Sequence, residues 1–447
     1  LVIIYNLAHN GFIPSEIHNL IRIYKIFFLL CVMRLVERHI IRRSDSRYKA
    51  VDHACWLAKN LYNAGLYAIK QEFLRSGKWA RWMDLNKEFV QNDNPDYRAL
   101  SANSSNRILK RLDENIKSYF GSIKAWKRDN KKFTGCPKFP RYKDKERGRA
   151  ILSYAYNQIS HKGDVIKLPK KEGLGYVRTR CPEGSVKEVR FVPRPGYYVC
   201  EVCYEVADVV PMGDNGRYMS VDLGLGNLAT CFSTVSQSFI VNGRPLKSIN
   251  QYYNKRRASI QSVLEKENRR KSSKRLDRLT LRRNNKVRDY LHKASKRVIR
   301  ACVENNINTL IVGYNEDWKR GIALGRRTNQ SFVCVPHGDF VGMLRYKCMR
   351  LGLRFVEVNE SHTSKCSSID GEAVCHHEVY MGSRVRRGLY RSSRDGYLNA
   401  DINGAVNIMR KAVGDGLGGC LFPADRGFWR NPVRINADKY VSVQTCI

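Results

Sequence analysis

The segment Ser220-Val-Asp-Leu-Gly-Leu-Gly-Asn-Leu-Ala-Thr230 decides how the second half of the chain folds. Its apolar residues predict a short buried strand that ends at Asp222, then a turn through two glycines and a second strand. Glycine allows the backbone to approach a ligand closely, and a carboxylate at a strand end beside such a turn can hold a cation. Asp222 is therefore the first candidate functional residue.

The segments after Met219 predict an α/β unit. They are, in order, the strands "MSVDLG", "LATCFS" and "SFIVNGRPLK", a long basic helical stretch over 251–305, the strand "NTLIVGY", the helix "DFVGMLRYKCMRLGL", the strand "RFVEVNE" and the helix "NADINGAVNIMRKAV". This is the element order of an RNase H-like fold. Nucleases of that type use about three carboxylates to hold two divalent cations about 3.5–4 Å apart. Carboxylate oxygens are the ligands that Mg²⁺ prefers.

Asp401 is the second candidate ligand. It lies in the opening turn of the last predicted helix, whose apolar residues Ile402, Ala405, Val406 and Met409 form one stripe. A helix N-terminus stabilises a negative charge at this position. Helix capping is the alternative explanation for a single Asp there. When Asp401 is considered together with the strand that ends at Asp222, a catalytic role explains it better than helix capping does.

The first half of the chain predicts a helical domain inserted into or beside a small β-barrel-like domain. Helical spacing runs from Arg47 to about Lys132, and period-two strands follow to about Val210. The segment "RLVERHII", before the helices, is expected to be the first strand of the barrel. Cys200 and Cys203 lie in an alternating strand and face opposite ways, so they are not expected to bind a metal.

The charge of the chain indicates a polyanionic partner. The 447 residues include 80 Lys and Arg against 41 Asp and Glu, which gives a net charge of +39. Basic residues alternate with aromatics in several segments, which favours nucleic acid over an anionic membrane. Fourteen cysteines are scattered along a chain with no secretory signal, which fits a reducing cytosolic compartment.

The N-terminal segment 1–32 differs from the rest of the chain. Its apolar run Ile26–Val32 is too short to span a bilayer, and no small-residue cleavage site follows it. The sequence begins with Leu1, and its first methionine is Met33. We expect residues 1–32 to be an upstream extension without a functional role.

Four spaced motifs resemble a known family. They are, in order, "VDLGLGNLAT", "VGYNEDWKR", "SHTSKCS" and "NADINGAVNI". The chain resembles the TnpB (OrfB) proteins of insertion sequences, which are related to type V CRISPR effectors. The resemblance runs from about Met33 to Val413 and includes "LYNAGLYAIKQEF" and "GCPKFPRYKDK" in the first half.

The resemblance implies an α+β multidomain protein. It would combine a RuvC/RNase H-like nuclease domain with an N-terminal β-barrel-like wedge domain and a helical recognition insert. An RNA derived from the transposon end would guide Mg²⁺-dependent cleavage of double-stranded DNA beside a short flanking motif, and base pairing would read the sequence. Such a protein would act in the prokaryotic cytoplasm, at the nucleoid, without a membrane.

This architecture predicts the domain limits. They are 1–32 for the extension, 33–46 with 134–212 for the wedge, 47–133 for the helical recognition domain, 213–362 with 395–413 for the nuclease domain, 363–394 for a degenerate zinc-ribbon-like insert and 414–447 for a C-terminal tail. Basic residues of the long helical stretch and of the insert are expected to contact nucleic acid. These are Arg269, Arg270, Lys271, Lys274, Arg275, Arg386 and Arg387.

The insert departs from the family pattern of two CxxC pairs. Cys366 has Ile369 at the position of its CxxC partner, and no second pair precedes Asp401. Structural zinc needs four well-spaced ligands. The remaining candidates are His362, Cys375, His376 and His377. We predict a zinc-free basic loop that contacts nucleic acid.

The second departure is a missing acid. Relatives place a Glu at the end of the fourth strand, where this chain has Val312 and Gly313. Candidates nearby are Glu316, Asp317, Glu357 and Glu360. We predict that Glu360 completes the Mg²⁺ site with Asp222 and Asp401, because it ends the neighbouring strand at the same level. The ends of neighbouring strands are about 4.8 Å apart, a shift that a Glu side chain can partly recover.

Three functions fit these observations. The leading one is an RNA-guided DNA endonuclease. A guide-directed DNA-binding protein that has lost cleavage and acts as a repressor is favoured by the missing acid. A DNA-strand-transfer transposase is compatible with the fold, because transposases also place acidic triads on RNase H-like domains.

Overall fold

The computed structural model describes residues 32–268, 272–315, 325–394, 396–414 and 426–437. The predicted extension, apart from Val32, lies outside the described residues. So do five candidate residues of the sequence, which are Arg269, Arg270, Lys271, Glu316 and Asp317. The chain divides into two compact units, Leu1–Ala207 and Asp208–Ile447.

The first unit combines helices with two antiparallel sheets. Its helices are α1 (Tyr48–Ser76), α2 (Trp82–Gln91), α3 (Pro95–Arg98) and α4 (Ala102–Arg128). Its strands are β1 (Val32–Arg42), β2 (Leu152–Ala155), β3 (Ser160–Lys162), β4 (Val165–Lys167), β5 (Tyr176–Arg178), β6 (Val186–Arg194) and β7 (Tyr197–Ala207). The sheets have the orders β1-β7-β6-β2 and β3-β4-β5. β1 precedes the helices in sequence and pairs with the whole length of β7.

The helices and the two sheets of this unit share one hydrophobic core, which extends from Ile41 through Leu112 to Val177. Helices α1 and α4 approach closely at Gly65, where a Cβ atom would lie 2.9 Å from Leu109 Cδ2. The predicted helical domain is therefore packed on the β-strands through a common interior. Cys200 and Cys203 both lie in β7.

The second unit contains a six-stranded sheet with helices. The strands of this sheet are β8 (Tyr218–Leu223), β9 (Asn227–Ser233), β10 (Phe239–Asn242), β11 (Thr309–Gly313), β12 (Arg354–Val358) and β16 (Val433–Ile435). A separate sheet is formed by three short strands, β13 (Ser383–Arg386), β14 (Leu389–Arg391) and β15 (Tyr397–Leu398). The helices of this unit are α5 (Arg244–Asn268), α6 (Lys274–Glu304), α7 (Arg326–Cys334), α8 (His337–Arg350), α9 (Ala400–Val413) and α10 (Arg426–Arg430).

The main sheet has the order β12-β11-β8-β9-β10-β16. β8, β11 and β12 are parallel, β9 runs against β8 and β10, and β16 is parallel to β10. Every strand except β9 therefore points its carboxyl end at the same edge. We call it the carboxyl edge, and in open α/β sheets ligands bind beyond this edge. The region predicted as a tail contributes β16.

Two groups of helices cover the two faces of this sheet. Met219 and Val221 of β8 share a core with α6 and α8, whereas Ile311 of β11 shares a second core with α9. Ser220 faces α9, because its Oγ donates a hydrogen bond to Ala405 O at 2.6 Å. Successive side chains of a strand alternate in direction. Asp222 therefore points towards α9 as well.

No helix in the described part of the chain is both long enough and apolar enough to cross a bilayer. The long helix α6 is amphipathic, with a buried stripe that includes Leu291, Ala294 and Val298. Lys and Arg are concentrated on the rest of its surface, which fits the basic charge predicted for this stretch.

Candidate active site

Asp222 lies at the end of β8, where helix α9 crosses the sheet. A Cβ atom on Gly404 of α9 would be 3.0 Å from Asp222 Oδ2. Because that separation is tighter than ordinary packing allows, a larger residue at 404 would displace the carboxylate or the helix. The glycine therefore lets α9 pass directly over the half-buried carboxylate.

Asp401 is held in the first turn of α9, but it is not the cap of the helix. The side chain of Asn399 accepts hydrogen bonds from the backbone N–H groups of Asp401 and Ile402. The capping role considered for Asp401 thus belongs to Asn399. The Asp401 carboxylate accepts hydrogen bonds from Asn227 Nδ2 at 2.5 Å and from Arg384 Nη2 at 3.3 Å.

Glu360 follows β12 by two residues and packs beside Gly313. A Cβ on Gly313, at the end of β11, would be 3.4 Å from the Glu360 Cβ. Its backbone is fixed from two sides, because its N–H donates to Asn315 Oδ1 and its carbonyl accepts from Thr363 Oγ1 at 2.7 Å. The other acid of that strand, Glu357, forms an ion pair with Arg345 of α8.

The three acids interact electrostatically. Burial, followed by the negative charges of Asp401 and Glu360, raises the pKa of Asp222 well above its ordinary value, and Arg384 opposes the shift. Burial also raises the pKa of Glu360 to about 7. Carboxylates that are poorly solvated and close to one another resist ionisation, and a bound cation would relieve this cost.

The donor set fits a hard divalent cation, since it consists of carboxylate oxygens at the carboxyl edge. However, no three His, Cys, Asp or Glu side chains are arranged around a common metal position anywhere in the described ranges. Asp401 is instead bound by Asn227 and Arg384. The two hydrogen bonds go to different oxygens of the carboxylate, so lone pairs remain on which Asp401 could bind a metal.

The predicted nucleic-acid contacts that are described lie on the surface. Lys274 and Arg275 are exposed in the first turn of α6, and Arg386 and Arg387 are exposed at the turn between β13 and β14. Arg387 reaches the catalytic region, because its Nη2 would be 2.9 Å from a Cβ on Gly226.

The insert is closed by a carboxylate network. Asp370 accepts hydrogen bonds from the Oγ atoms of Ser367 and Ser392, at 2.6 and 2.7 Å, and from the backbone N–H groups of Ser393 and Arg394. These contacts tie together the two ends of the insert.

The thiols and imidazoles of the insert make other contacts. Cys366 is buried and its Sγ donates to the carbonyl of Cys375. Cys375 Sγ lies 3.4 Å from His377 Nε2, while His362 and His376 form an edge-to-face ring contact. The absence of zinc from this insert stays a prediction.

Sequence reasoning missed three residues that shape the site. Asn227 belongs to the opening motif and Gly404 lies one turn after Asp401, so both could have been found from their spacing. Arg384 carried no such signal, because it is one of several basic residues in an irregular insert.

Two segments of the chain match family models. Residues 201–319 match OrfB_IS605, described as "Probable transposase", and residues 337–408 match the Cas12f1-like TNB domain. Together they include Asp222, Glu360 and Asp401. The chain is therefore similar to OrfB-type proteins over the first segment and to Cas12f1-like TNB domains over the second.

Two curated relatives agree with this class. InsQ of Escherichia coli (strain K12), named as a proposed RNA-guided DNA endonuclease, is 24% identical over 288 residues, which cover 61% of this chain and 68% of InsQ. The TnpB-like protein ORF457 of Acidianus two-tailed virus is 26% identical over 206 residues, 44% of this chain and 42% of ORF457. These matches support the resemblance to the TnpB (OrfB) family that the motifs of the chain indicate.

Solved structures of RNA-guided nucleases show more distant similarity. The structure of the mini-RNA-guided endonuclease CRISPR-Cas_phi3 is 12% identical, with a TM-score of 0.47, and the match covers 87% of this chain and 94% of that one. A cryo-EM structure of a Cas12f1–sgRNA–target DNA complex is 15% identical, with a TM-score of 0.32, and the match covers 84% of this chain and 98% of that one.

Proposed function

We propose that the protein is an RNA-guided, Mg²⁺-dependent endonuclease that cuts double-stranded DNA. The observation that carries the proposal is the electrostatic interaction of Asp222 with Asp401 and Glu360 at the carboxyl edge, where Asp222 and Glu360 have raised pKa values. A RuvC/RNase H-like domain is supported by the strand order β12-β11-β8-β9-β10. It is supported also by the packing of α9 on one face of this sheet.

Asp222, Glu360 and Asp401 would hold the Mg²⁺ ions. Bound Mg²⁺ supplies Lewis-acid stabilisation of the negative charge that develops on a phosphodiester. The protein positions the three carboxylates. Gly404 leaves room above Asp222, and Asn399 caps α9 so that the Asp401 carboxylate is available.

The proposed partners are a guide RNA and target DNA, and the net charge and the family resemblance support them. A net charge of +39 suits a guide RNA and the RNA–DNA heteroduplex that it forms. The guide would derive from the transposon end, and the wedge and helical recognition regions of the first unit would read the short flanking motif. The domain limits predicted from the sequence stay proposals, as does action in the prokaryotic cytoplasm.

A guide-directed DNA-binding protein without cleavage is the second candidate. The end of β11 around Val312 and Gly313 carries no acid, and Asp401 is bound by Arg384 and Asn227. Glu360 weakens this candidate, because it brings a third carboxylate within electrostatic range of Asp222.

One experiment separates the candidates. The protein is purified with its co-expressed RNA and incubated with Mg²⁺ and a plasmid library that carries randomised sequences beside the guide target. Linearised plasmid with one enriched flanking motif supports the endonuclease. Retention of plasmids without cutting supports the binding protein, and joined strands support a transposase. Asp222→Ala and Asp401→Ala are the controls, which should keep RNA and DNA binding but not cut.

A further inference from the structure

Three arginines from separate elements stand beside Asp401 at the carboxyl edge. Arg244 begins α5 just after β10, Arg387 follows β13, and Arg434 lies in β16. All three side chains are exposed. Among the described residues none of them forms an ion pair with a carboxylate, whereas the neighbouring Arg384 contacts Asp401 directly.

The glycine-rich turn after Asp222 brings these elements together. Gly226 O accepts a hydrogen bond from the N–H of Gly243, the residue before Arg244. The same glycine lies against the guanidinium of Arg387, since a Cβ there would be 2.9 Å from Nη2. The next residue, Asn227, donates to Asp401.

Strand pairing places Arg434 at the same location. It lies opposite Ile240 in the parallel pair of β10 and β16. The end of β10 is joined to the segment after β16, because Asn242 Nδ2 donates to Asn436 Oδ1 at 2.8 Å. Asn242 also accepts from the N–H of Arg244. The backbone thus fixes the relative positions of Arg244 and Arg434.

The electrostatics agree with this geometry. Partial burial lowers the pKa of Arg434; the charges of Arg244 and Arg387 lower it further, while Asp401 raises it. Like charges held together repel one another. Three guanidinium groups without their own carboxylates therefore form a site for an anion with more than one charge.

We propose that Arg244, Arg387 and Arg434 bind backbone phosphates of the DNA strand that enters the nuclease centre. This inference rests on the proposed endonuclease function and adds a substrate-positioning site on the β10 and β16 side of Asp222. Guanidinium groups bind phosphate through paired, charge-assisted hydrogen bonds. The arginines are positioning residues, because Asp222, Glu360 and Asp401 hold the reacting region.

The test uses the purified protein–RNA complex with Arg244→Gln, Arg387→Gln and Arg434→Gln. Each variant should raise KM for the target DNA about three- to tenfold, with kcat near that of the wild type. The slope of log affinity against log salt should fall by about 0.7 for each lost contact with a single strand. The Arg→Lys variants should recover most of the affinity, and the amount of guide RNA bound should not change.

Arg350→Gln is the matched control. Arg350 is exposed in the last turn of α8, which leads into the start of β12, away from the carboxyl edge. It should leave KM and the salt dependence unchanged. Unchanged KM and salt slope in the three arginine variants would overturn the inference. A parallel loss of guide RNA would also overturn it, because the site would then hold RNA.

A binding measurement separates this inference from the proposed function. The same substitutions are made in an Asp222→Asn complex, and its affinity for target DNA is measured at several salt concentrations. If the wild-type complex never cuts, the endonuclease proposal fails. The binding measurement then still decides the arginine site: a reduced salt slope supports it and an unchanged slope contradicts it.

Discussion

Glu360 lies beside Gly313 at the carboxyl edge of the main sheet. Gly313 ends β11, whereas Glu360 follows the end of the neighbouring parallel strand β12 by two residues. A Cβ on Gly313 would be 3.4 Å from the Glu360 Cβ. An acid on β12 can therefore present its carboxylate close to where an acid on β11 would stand. The negative charge of Glu360 contributes to the raised pKa of Asp222, after burial and the charge of Asp401.

Glu360→Gln should reduce cleavage about 10²–10³-fold, because the amide keeps the size of the side chain but not the charge needed for Mg²⁺. Cleavage of target plasmid by the RNA complex measures this effect. Glu357→Gln is the control from the same strand, since Glu357 pairs with Arg345 on the surface. Equal activity of both variants would remove Glu360 from the site.

Gly313→Ala should destabilise the second unit by about 1–3 kcal/mol, the usual cost of overpacking a core. The new methyl would lie 2.4 Å from Ile408 Cδ1, and Ile408 is fully buried in α9. Thermal or urea unfolding measures the loss. Adding Ile408→Val removes Cδ1 and should recover part of the stability; if the double variant is simply additive, the clash is not the cause.

The metal-free protein should lose stability as the pH rises towards 8. The folded pKa of Glu360, about 7, exceeds its ordinary value of 4.5, so the folded state favours the protonated group. This contribution is complete below about pH 4.5 and is lost as the pH rises through 7. The raised pKa of Asp222 also makes the folded state less stable as the pH rises.

Glu360→Gln should therefore melt a few degrees above the wild type at pH 8 in EDTA, and the difference should shrink at pH 5. After allowance for solvent screening of a half-buried group, the gain is about 1–2 kcal/mol. Mg²⁺ should stabilise the wild type at pH 8 more than it stabilises the variant. A variant that melts below the wild type at both pH values would contradict the shifted pKa.

Asp370→Asn should loosen the insert. Although burial raises the pKa of Asp370, the hydrogen bonds from Ser367, Ser392 and two backbone N–H groups lower it overall. An amide cannot accept all of these bonds, so a loss of about 1–3 kcal/mol is expected. Hydrogen exchange over 363–394 measures it, with Glu378→Gln, an exposed acid of the insert, as the control.

The same measurement tests the predicted absence of zinc. A chelator should leave the exchange of this segment unchanged in the wild type, because Asp370 and not a metal closes it. Faster exchange in the presence of a zinc chelator would show that the insert does hold a metal.

The sequence allowed prediction of the parts of the site that lie on regular elements. Asp222 ends a buried strand and Asp401 opens an amphipathic helix, so periodicity placed both. Glu360 could be proposed because parallel strands end at one edge. The contacts of Asn227 and Arg384 with Asp401 could not be predicted, because they depend on how a turn and an irregular insert meet in space.

The strand β16 was not predicted for a different reason. It has only three residues, Val433–Ile435, in a segment interpreted as a tail, and its pairing with β10 spans most of the second unit. Such long-range pairing leaves little local signal. The arginine cluster was missed with it, because Arg434 becomes a neighbour of Arg244 only through that pairing.

The position of β16 also has a consequence for self-association. Phe239, Ile240 and Val241 of β10 are almost completely buried, and β16 covers the backbone of this strand at the side of the sheet. A chain that ended after α9 would expose an apolar strand with unpaired N–H and C=O groups, and such an edge recruits strands from other molecules. By pairing with β10, β16 occupies the edge at which a strand of a second copy could otherwise add.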